Sequence, residues 1–326
     1  MEIAKALILI GSGGDEHPWP SSPVAPKQLF PVGNRPILLH SLEALRAAGI
    51  LEATILAEPE INATVHEAIG GSRTCGLSVR YAEWSQAGGL SAALAAGHDF
   101  LAGEPVLVQE GGALMRDRMH AHISAFANEK LDALAFRFAG RSEVAPGYLL
   151  SPRAVSMLLD TEPEDAPNPI AGVRERGGQV RVQSVDGFLP CHGDQTGLLD
   201  GNRYVLERLA PGMTGRPFED SEVQGPVEVH PTAKVARTLL RGPLIVGPGA
   251  RISDAYIGPY TSIGAGVVVE GTEIEHSIVL PDAELCFVGV RLESSVIGRG
   301  ARVRRGFHLP AAMRMTIGDG AEVHVR

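Results

Sequence analysis

Residues 257–269 read Ile257-Gly-Pro-Tyr-Thr-Ser-Ile263-Gly-Ala-Gly-Val-Val-Val269. An aliphatic residue returns every sixth position, and twice a glycine follows it. Ile245 falls in the same register, with Arg251 as the exception. Ile297, Val303 and Leu309 make a second ladder of six after an irregular interval. A repeat of this period marks a parallel β-helix, in which each short strand forms one wall of a triangular coil and small residues turn the corners. A β-sandwich would show a period of two within strands and no fixed spacing between them.

Working toward the N-terminus, residues 211–226 are rich in Gly, Pro and acidic residues and read as a linker. The expected domains are therefore 1–210 and 227–326. The first obeys a different rule. Ala6 to Ile10 is a continuous apolar run that stops at Gly11-Ser12-Gly13-Gly14, as a strand buried on both faces does when it feeds a glycine loop. Leu38, Leu42 and Leu45 share a helical face over 36–48, opened by Pro36 and closed by Gly49. Strands at 53–57, 77–81 and 105–109 alternate with helices at 61–69 and 90–101. Strands near 133–138, 147–150 and 180–185 and helices at 152–160 and 195–209 follow. Such alternation predicts a parallel α/β sheet.

Composition narrows the function classes. The net charge is -9 and no Lys/Arg block occurs, so nucleic acid is not an expected partner. Cys75, Cys191 and Cys286 are too scattered for a disulfide framework, which fits a reduced, cytoplasmic setting. The first apolar run is too short for a signal segment, and no run is long enough to span a bilayer.

The segment Ala25-Pro26-Lys27-Gln28-Leu29-Phe30-Pro31-Val32-Gly33-Asn34-Arg35-Pro36-Ile37 resembles the Pro-Lys-Gln-Leu-x-Pro-Val-x-Asn-Lys-Pro segment of the sugar-1-phosphate nucleotidylyltransferases. Leu42 to Ile50, Asn202-Arg203-Tyr204-Val205-Leu206-Glu207 and Ile257 to Ile263 extend the likeness to the long glucose-1-phosphate thymidylyltransferase-like proteins. The resemblance implies a Rossmann-like nucleotidyltransferase domain followed by a left-handed β-helix. It also implies a reaction in which a sugar phosphate attacks the α-phosphorus of a metal-bound nucleoside triphosphate and releases pyrophosphate. Such chemistry rests on cations and metal-binding carboxylates that stabilise charge.

Matched residue by residue, that machinery is altered here. Gly11, Gly13, Gly14 and Lys27 are the phosphate-binding candidates. Glu16 stands where the family's first loop has Arg, with Asp15 before it and His17 after it. Like charges about 4 Å apart repel by roughly 1 kcal/mol in water and by more in a partly buried site. The first metal-ligand position is Gly112, two residues after Glu110, and the second is Cys191 in Cys191-His192-Gly193-Asp194. A thiol suits Mg²⁺ poorly, so no cofactor is expected. Glu83-Trp84 replaces the Pro-Gln that precedes the Pro-x-Gly-Leu turn, and Gly89 lies in that turn. Trp84 could stack on a ligand or fill a vacated nucleoside pocket. The stretch from Gly140 to Gly147 is shorter than the family's and lacks its Glu-Lys-Pro motif.

Three readings stay open. One is a scaffold or non-catalytic subunit beside an active paralogue in a sugar or specialised-metabolite pathway. Another is new chemistry in the old cleft, drawing on Glu16, His17, Glu110, Cys191, His192 and Asp194. The last is a weak transferase. A sugar phosphate or nucleotide is the ligand class, and a homo-oligomer through the β-helix is the expected assembly. His120-Ala121-His122 lacks the spacing of a zinc site. His276 and His308 suggest the acyltransferases built on hexapeptide repeats less than a structural tail.

Overall fold

The first strand, β1 (Lys5–Ile10), sits at the centre of the N-terminal domain, and both of its faces are buried. The computed structural model describes residues 3–11, 26–115, 119–138, 147–160, 169–185, 187–188, 195–209 and 220–306. Ala6, Ile8 and Ile10 point into one core. There they meet Leu38, Leu42 and Leu45 of α1 (Ile37–Ala47), Ile61 and Val65 of α2 (Pro59–Ile69), and Phe126 of α4 (Met119–Asn128). Leu7 points into the other core, among residues of α3 (Gly89–Ala96), α5 (Pro152–Leu159) and α6 (Pro169–Glu175). An all-aliphatic run is what a strand between two helical layers requires.

The remaining strands are β2 (Glu52–Ala57), β3 (Leu77–Glu83), β4 (Val106–Glu110), β5 (Ala133–Phe138), β6 (Gly147–Leu150) and β7 (Val180–Val185). With the short strand Arg73–Thr74 they form an 8-stranded sheet in the order β7-β5-β6-β4-β1-β2-β3-(73–74). The sheet is mixed, not parallel as the alternation suggested. β6 runs antiparallel to both β4 and β5. The connection from β5 to β6 is too short for the crossover that a parallel neighbour needs. The helix expected over 90–101 is broken at Gly97, where a Cβ would lie 2.7 Å from Leu7 Cδ2. Two helices, α4 and α6, were not expected. Met119, Ile123 and Phe126 at helical spacing are the signal for the first.

The C-terminal domain is a three-walled coil of parallel strands. Each wall is a 5-stranded sheet, and the coil encloses a core that includes Val229, Val246, Ile263 and Val279. Its first strand is Glu222–Gln224, inside the stretch read as linker. Seventeen residues separate Val229 from its partner Val246, and seventeen more separate Val246 from Ile263. The inward ladder runs Leu240, Val246, Ile252, Ile257, Ile263, Val269, Ile274, in steps of six, six and five. A strict register of six therefore slips by one residue per coil. That places Arg251 outside next to the inward Ile252, and it corrects Ile245, which lies on the outer side between buried Leu244 and Val246. Leu309 lies outside the described residues.

Corners need small residues where coils touch. A Cβ on Gly247 would come within 2.9 Å of the Ala265 nitrogen and the Gly264 carbonyl carbon, backbone that cannot swing aside. Gly247→Ala should cost roughly 1–3 kcal/mol, read as a lower urea midpoint with an unchanged m-value.

The two domains meet through α7 (Gln195–Leu206). Leu198, Leu199 and Tyr204 pack with Phe30, Val32 and Ile37 on one side and Ile278 and Leu280 on the other. Pro31–Val32 and Arg35–Pro36 pair as a tight hairpin. Its turn residues Gly33 and Asn34 both have positive φ, 55° and 62°, as a type I′ turn requires. Asn202 of α7 is wholly buried. Its Oδ1 accepts from the Gly33 amide (2.8 Å) and the Ser262 hydroxyl (2.6 Å), and its Nδ2 donates to the Tyr260 carbonyl (2.9 Å). Asn34 Nδ2 donates to the Ile263 carbonyl (2.7 Å). Among the described residues no helix is long and apolar enough to cross a membrane.

Behind this hairpin, His40 Nε2 lies 2.9 Å from the Val32 carbonyl, so that nitrogen carries the proton. Burial, the largest cause, holds the imidazole below its ordinary range. The unfolded chain therefore binds the proton more readily, and acidification below about pH 6.5 costs stability until the lower folded value is passed. A thermal midpoint that falls over this range, with a shallower fall in His40→Gln, is the expected measurement.

Candidate functional site

The order of the sheet locates the site before any motif does. The chain runs from β1 to β2 and β3 on one side, then jumps across to β4 on the other. A crevice opens outside the carboxyl ends of strands where the winding reverses, and ligands of open α/β sheets bind there. Here those ends are Ile10-Gly11 of β1 and Glu110 of β4, with Trp84 just beyond β3.

Leu9 and Glu110 are directly paired in the sheet. Glu110 is half-buried, and Leu9 packs against the core that holds Trp84. The turn after β4 is sealed. The Gly111 amide donates to the Leu9 carbonyl (2.9 Å), and the Ala113 amide donates to the Glu110 carbonyl (3.1 Å). Ser41 of α1 sends its hydroxyl to the Gly111 and Ala113 carbonyls at 3.1 and 2.9 Å, and Gln109 Nε2 donates to the latter at 3.2 Å. A Cβ on Gly111 would lie 2.4 Å from Ile10 Cδ1. Gly111 and Gly112 are thus built into the core, and neither offers a side chain to the crevice.

The end of β3 closes over the end of β1. Trp84 is buried in the α3 core, and its indole N–H points to the Ile10 carbonyl at 3.4 Å. Two residues on, the Gln86 carboxamide lies against Gly11, with Oε1 2.2 Å from where a Cβ would stand. A side chain at position 11 would have to displace this exposed carboxamide. Gly89 opens α3 with φ 57° and faces open space. Lys27 is half-buried in a short 3₁₀ turn, Lys27–Leu29, that packs beside α1. Gly11, Trp84 and Glu110 are therefore gathered at one edge of the sheet, and Gly89 and Lys27 lie on flanking segments. Gly13, Gly14, Glu16, His17, Cys191, His192 and Asp194 lie outside the described residues.

Gln86, Ser41 and Gln109 escaped the reading of the sequence. Ser41 left a signal, a polar residue on the apolar face of α1 between Leu38 and Leu42. Tyr148 of β6 lies opposite Val108, two residues back from Glu110, and burial raises its phenol above the usual range.

A divalent cation wants several hard oxygen ligands. Among the described residues no group of three His, Cys, Asp or Glu could hold one. The described rim offers Glu110 beside two buried glycines, which does not fit a metal.

The family model described as nucleotidyl transferase matches residues 5–148. That stretch carries Gly11, Lys27, Trp84, Gly89 and Glu110 and ends before Cys191. The glucose-1-phosphate thymidylyltransferase of Streptomyces antibioticus is 31% identical over 99% of this chain and 99% of its own length. That of Streptomyces griseus is 29% identical over 98% and 99%. A low-salt glycan biosynthesis nucleotidyltransferase of Haloferax volcanii is 24% identical over 97% and 99%. The crystal structure of a Bacillus anthracis protein, provisionally assigned as a glucose-1-phosphate thymidylyltransferase, superposes with a TM-score of 0.55 at 20% identity. It covers 64% of this chain and 97% of the other, and shows the shared fold. The alignment to the Streptomyces antibioticus enzyme runs over 359 positions against 326 residues here, so at least 33 positions (359 less 326) have no counterpart in this chain. With near-complete coverage of two full-length relatives and the matching domain model, this chain belongs to the sugar-1-phosphate nucleotidyltransferase family.

Proposed function

We propose that this chain keeps the fold of a sugar nucleotidyltransferase, has lost nucleotidyl transfer, and serves a sugar or specialised-metabolite pathway in the cytoplasm through a rebuilt cleft. The observation that carries the reading is the end of β4. Where the family resemblance implies a metal-binding carboxylate, this chain has a glycine turn locked into the core by Ser41, Gln109 and the Leu9 carbonyl. Three further features support it. Glu16 occupies the position of a phosphate-binding cation, Trp84 fills the space under β1, and at least 33 positions of a full-length relative are missing (359 less 326).

Nucleotidyl transfer depends on stabilising charge as it builds on phosphoryl oxygens. A carboxylate at the rim and a turn without side chains oppose that need. The fold can still bind a nucleotide or a sugar phosphate without turning it over, and exposed flanks of the β-helix suit assembly into a homo-oligomer. The names of the relatives supply the probes, dTTP and glucose 1-phosphate. A turnover assay tests the loss of transfer. Isothermal titration with the same compounds then separates a binding protein from an empty scaffold, since binding raises stability in proportion to the logarithm of concentration over Kd.

A further inference from the structure

At the far edge of the sheet, β7 has only one neighbour. It pairs in parallel with β5 along its whole length, and among the described residues nothing pairs with its outer side. The Gln179 carbonyl accepts from the Asp132 and Ala133 amides at the start of β5. Backbone groups alternate along a strand, so Arg181, Gln183 and Val185 turn theirs to β5. Val180, Val182 and Ser184 turn theirs outward.

This edge lacks the usual protection. Natural edges carry proline, bulges or several charges. The strand Val-Arg-Val-Gln-Ser-Val has no proline, and its single charge, Arg181, is already paired with Glu129. Val182 is 40% exposed, one of four large apolar side chains left in solvent among the described residues. The Ser184 carbonyl draws the Gln183 side-chain amide of its own strand onto itself at 3.0 Å.

We propose that β7 is a dimerisation edge that pairs antiparallel with β7 of a second copy of this chain, on a two-fold axis through Val182. The strand is complementary to itself in that register. Val182 meets Val182 of the copy as a hydrogen-bonded pair, and Val180 meets Ser184, so all three outward N–H groups and all three outward carbonyls find partners. Arg181 falls opposite uncharged Gln183, so no like charges face each other. The two exposed valines lie on the same face of the joined sheet with Cα atoms about 5.5 Å apart, and each shields the other from water. A second copy of this strand satisfies every position at once, and an isologous contact closes after two copies. The proposal is independent of the fate of the catalytic cleft.

Light scattering at micromolar concentration tests it on the full chain. Val182→Glu and Val182→Lys each set like charges face to face, which is destabilising. Each variant alone should have half the mass of the wild type, with an unchanged circular dichroism spectrum. Mixing the two should restore the wild-type mass, because opposite charges then meet across the axis. Hydrogen exchange gives a second readout. The amides of Val180, Val182 and Ser184 should exchange at least about tenfold faster in either variant than in the wild type, while those of Arg181 and Gln183, held by β5, stay slow. A monomeric wild type, a variant that keeps the wild-type mass, or a mixture that stays at half mass overturns the proposal.

Discussion

Given Mg²⁺, glucose 1-phosphate and each common nucleoside triphosphate, the protein should release no more pyrophosphate than a control without it. Removing one preorganised charge stabiliser typically costs about 10²–10³ in rate. Here the position of the triphosphate-binding cation holds Glu16, and the two positions of the metal ligands hold Gly112 and Cys191. Losses within one constellation are not additive, so the factors are not multiplied, but nothing at the described rim offsets them. Gly112 is buried in the turn tied to Leu9, Ser41 and Gln109 and has no side chain to offer a metal. Glu16→Arg alone should therefore leave the protein inactive. A turnover near about 1 s⁻¹, the low end of ordinary enzymes, would show that transfer survives on other ligands.

Asn202→Ala should be the most damaging single change at the domain junction. It strands the Gly33 amide and the Ser262 hydroxyl in a buried place and the Tyr260 carbonyl in a part-buried one. An unpaired buried polar group costs about 1–3 kcal/mol, so the loss should be roughly 3 kcal/mol or more. Calorimetry on the wild type should show the two domains melting together. In Asn202→Ala the melting should shift down by several degrees and split, because apart from apolar packing only the exposed Gln195 bond to the Ser294 carbonyl and the Arg203–Tyr260 stacking then hold α7 to the β-helix. Ser262→Ala should cost less alone, and the double variant should cost less than the sum, since the two residues share one hydrogen bond. An unsplit transition at the wild-type temperature would show that Asn202 is not the coupling residue.

Much of this architecture is legible in the sequence, and the reasons differ by element. β1 is readable because both of its faces are buried, which leaves Ala6 to Ile10 with no polar residue. The β-helix is readable because its aliphatic spacing is nearly regular. It resists an exact reading because one step in each coil is a residue short, so a strict register of six runs through Ile245 on the outer side. β6 reads as a strand from its residues, but its direction is set by the length of the connection before it. The site is harder. Gln86 over Gly11 is a meeting of two loops seventy-five residues apart, from Gly11 to Gln86, and no local pattern announces it. Asn202 did stand in a segment that carried the family resemblance. Its task, to join the hairpin to the β-helix, appears only once three separate stretches are folded together.

The uneven coil also bears on how such a chain can change over time. Sixteen residues separate Ser262 from its partner Ile278, whereas eighteen separate Ile278 from Val296. Both intervals bring an inward aliphatic back to the axis, because the surplus is taken up at the corners. Length is therefore free to drift at the corners and fixed within the walls. An inserted residue beside Val290, on the corner after Cys286, leaves every later side chain on its own side. The same insertion within Val268–Glu270 turns the buried Val269 outward. Natural variants of this domain should accordingly differ in the lengths of their turns and agree in the short steps between them.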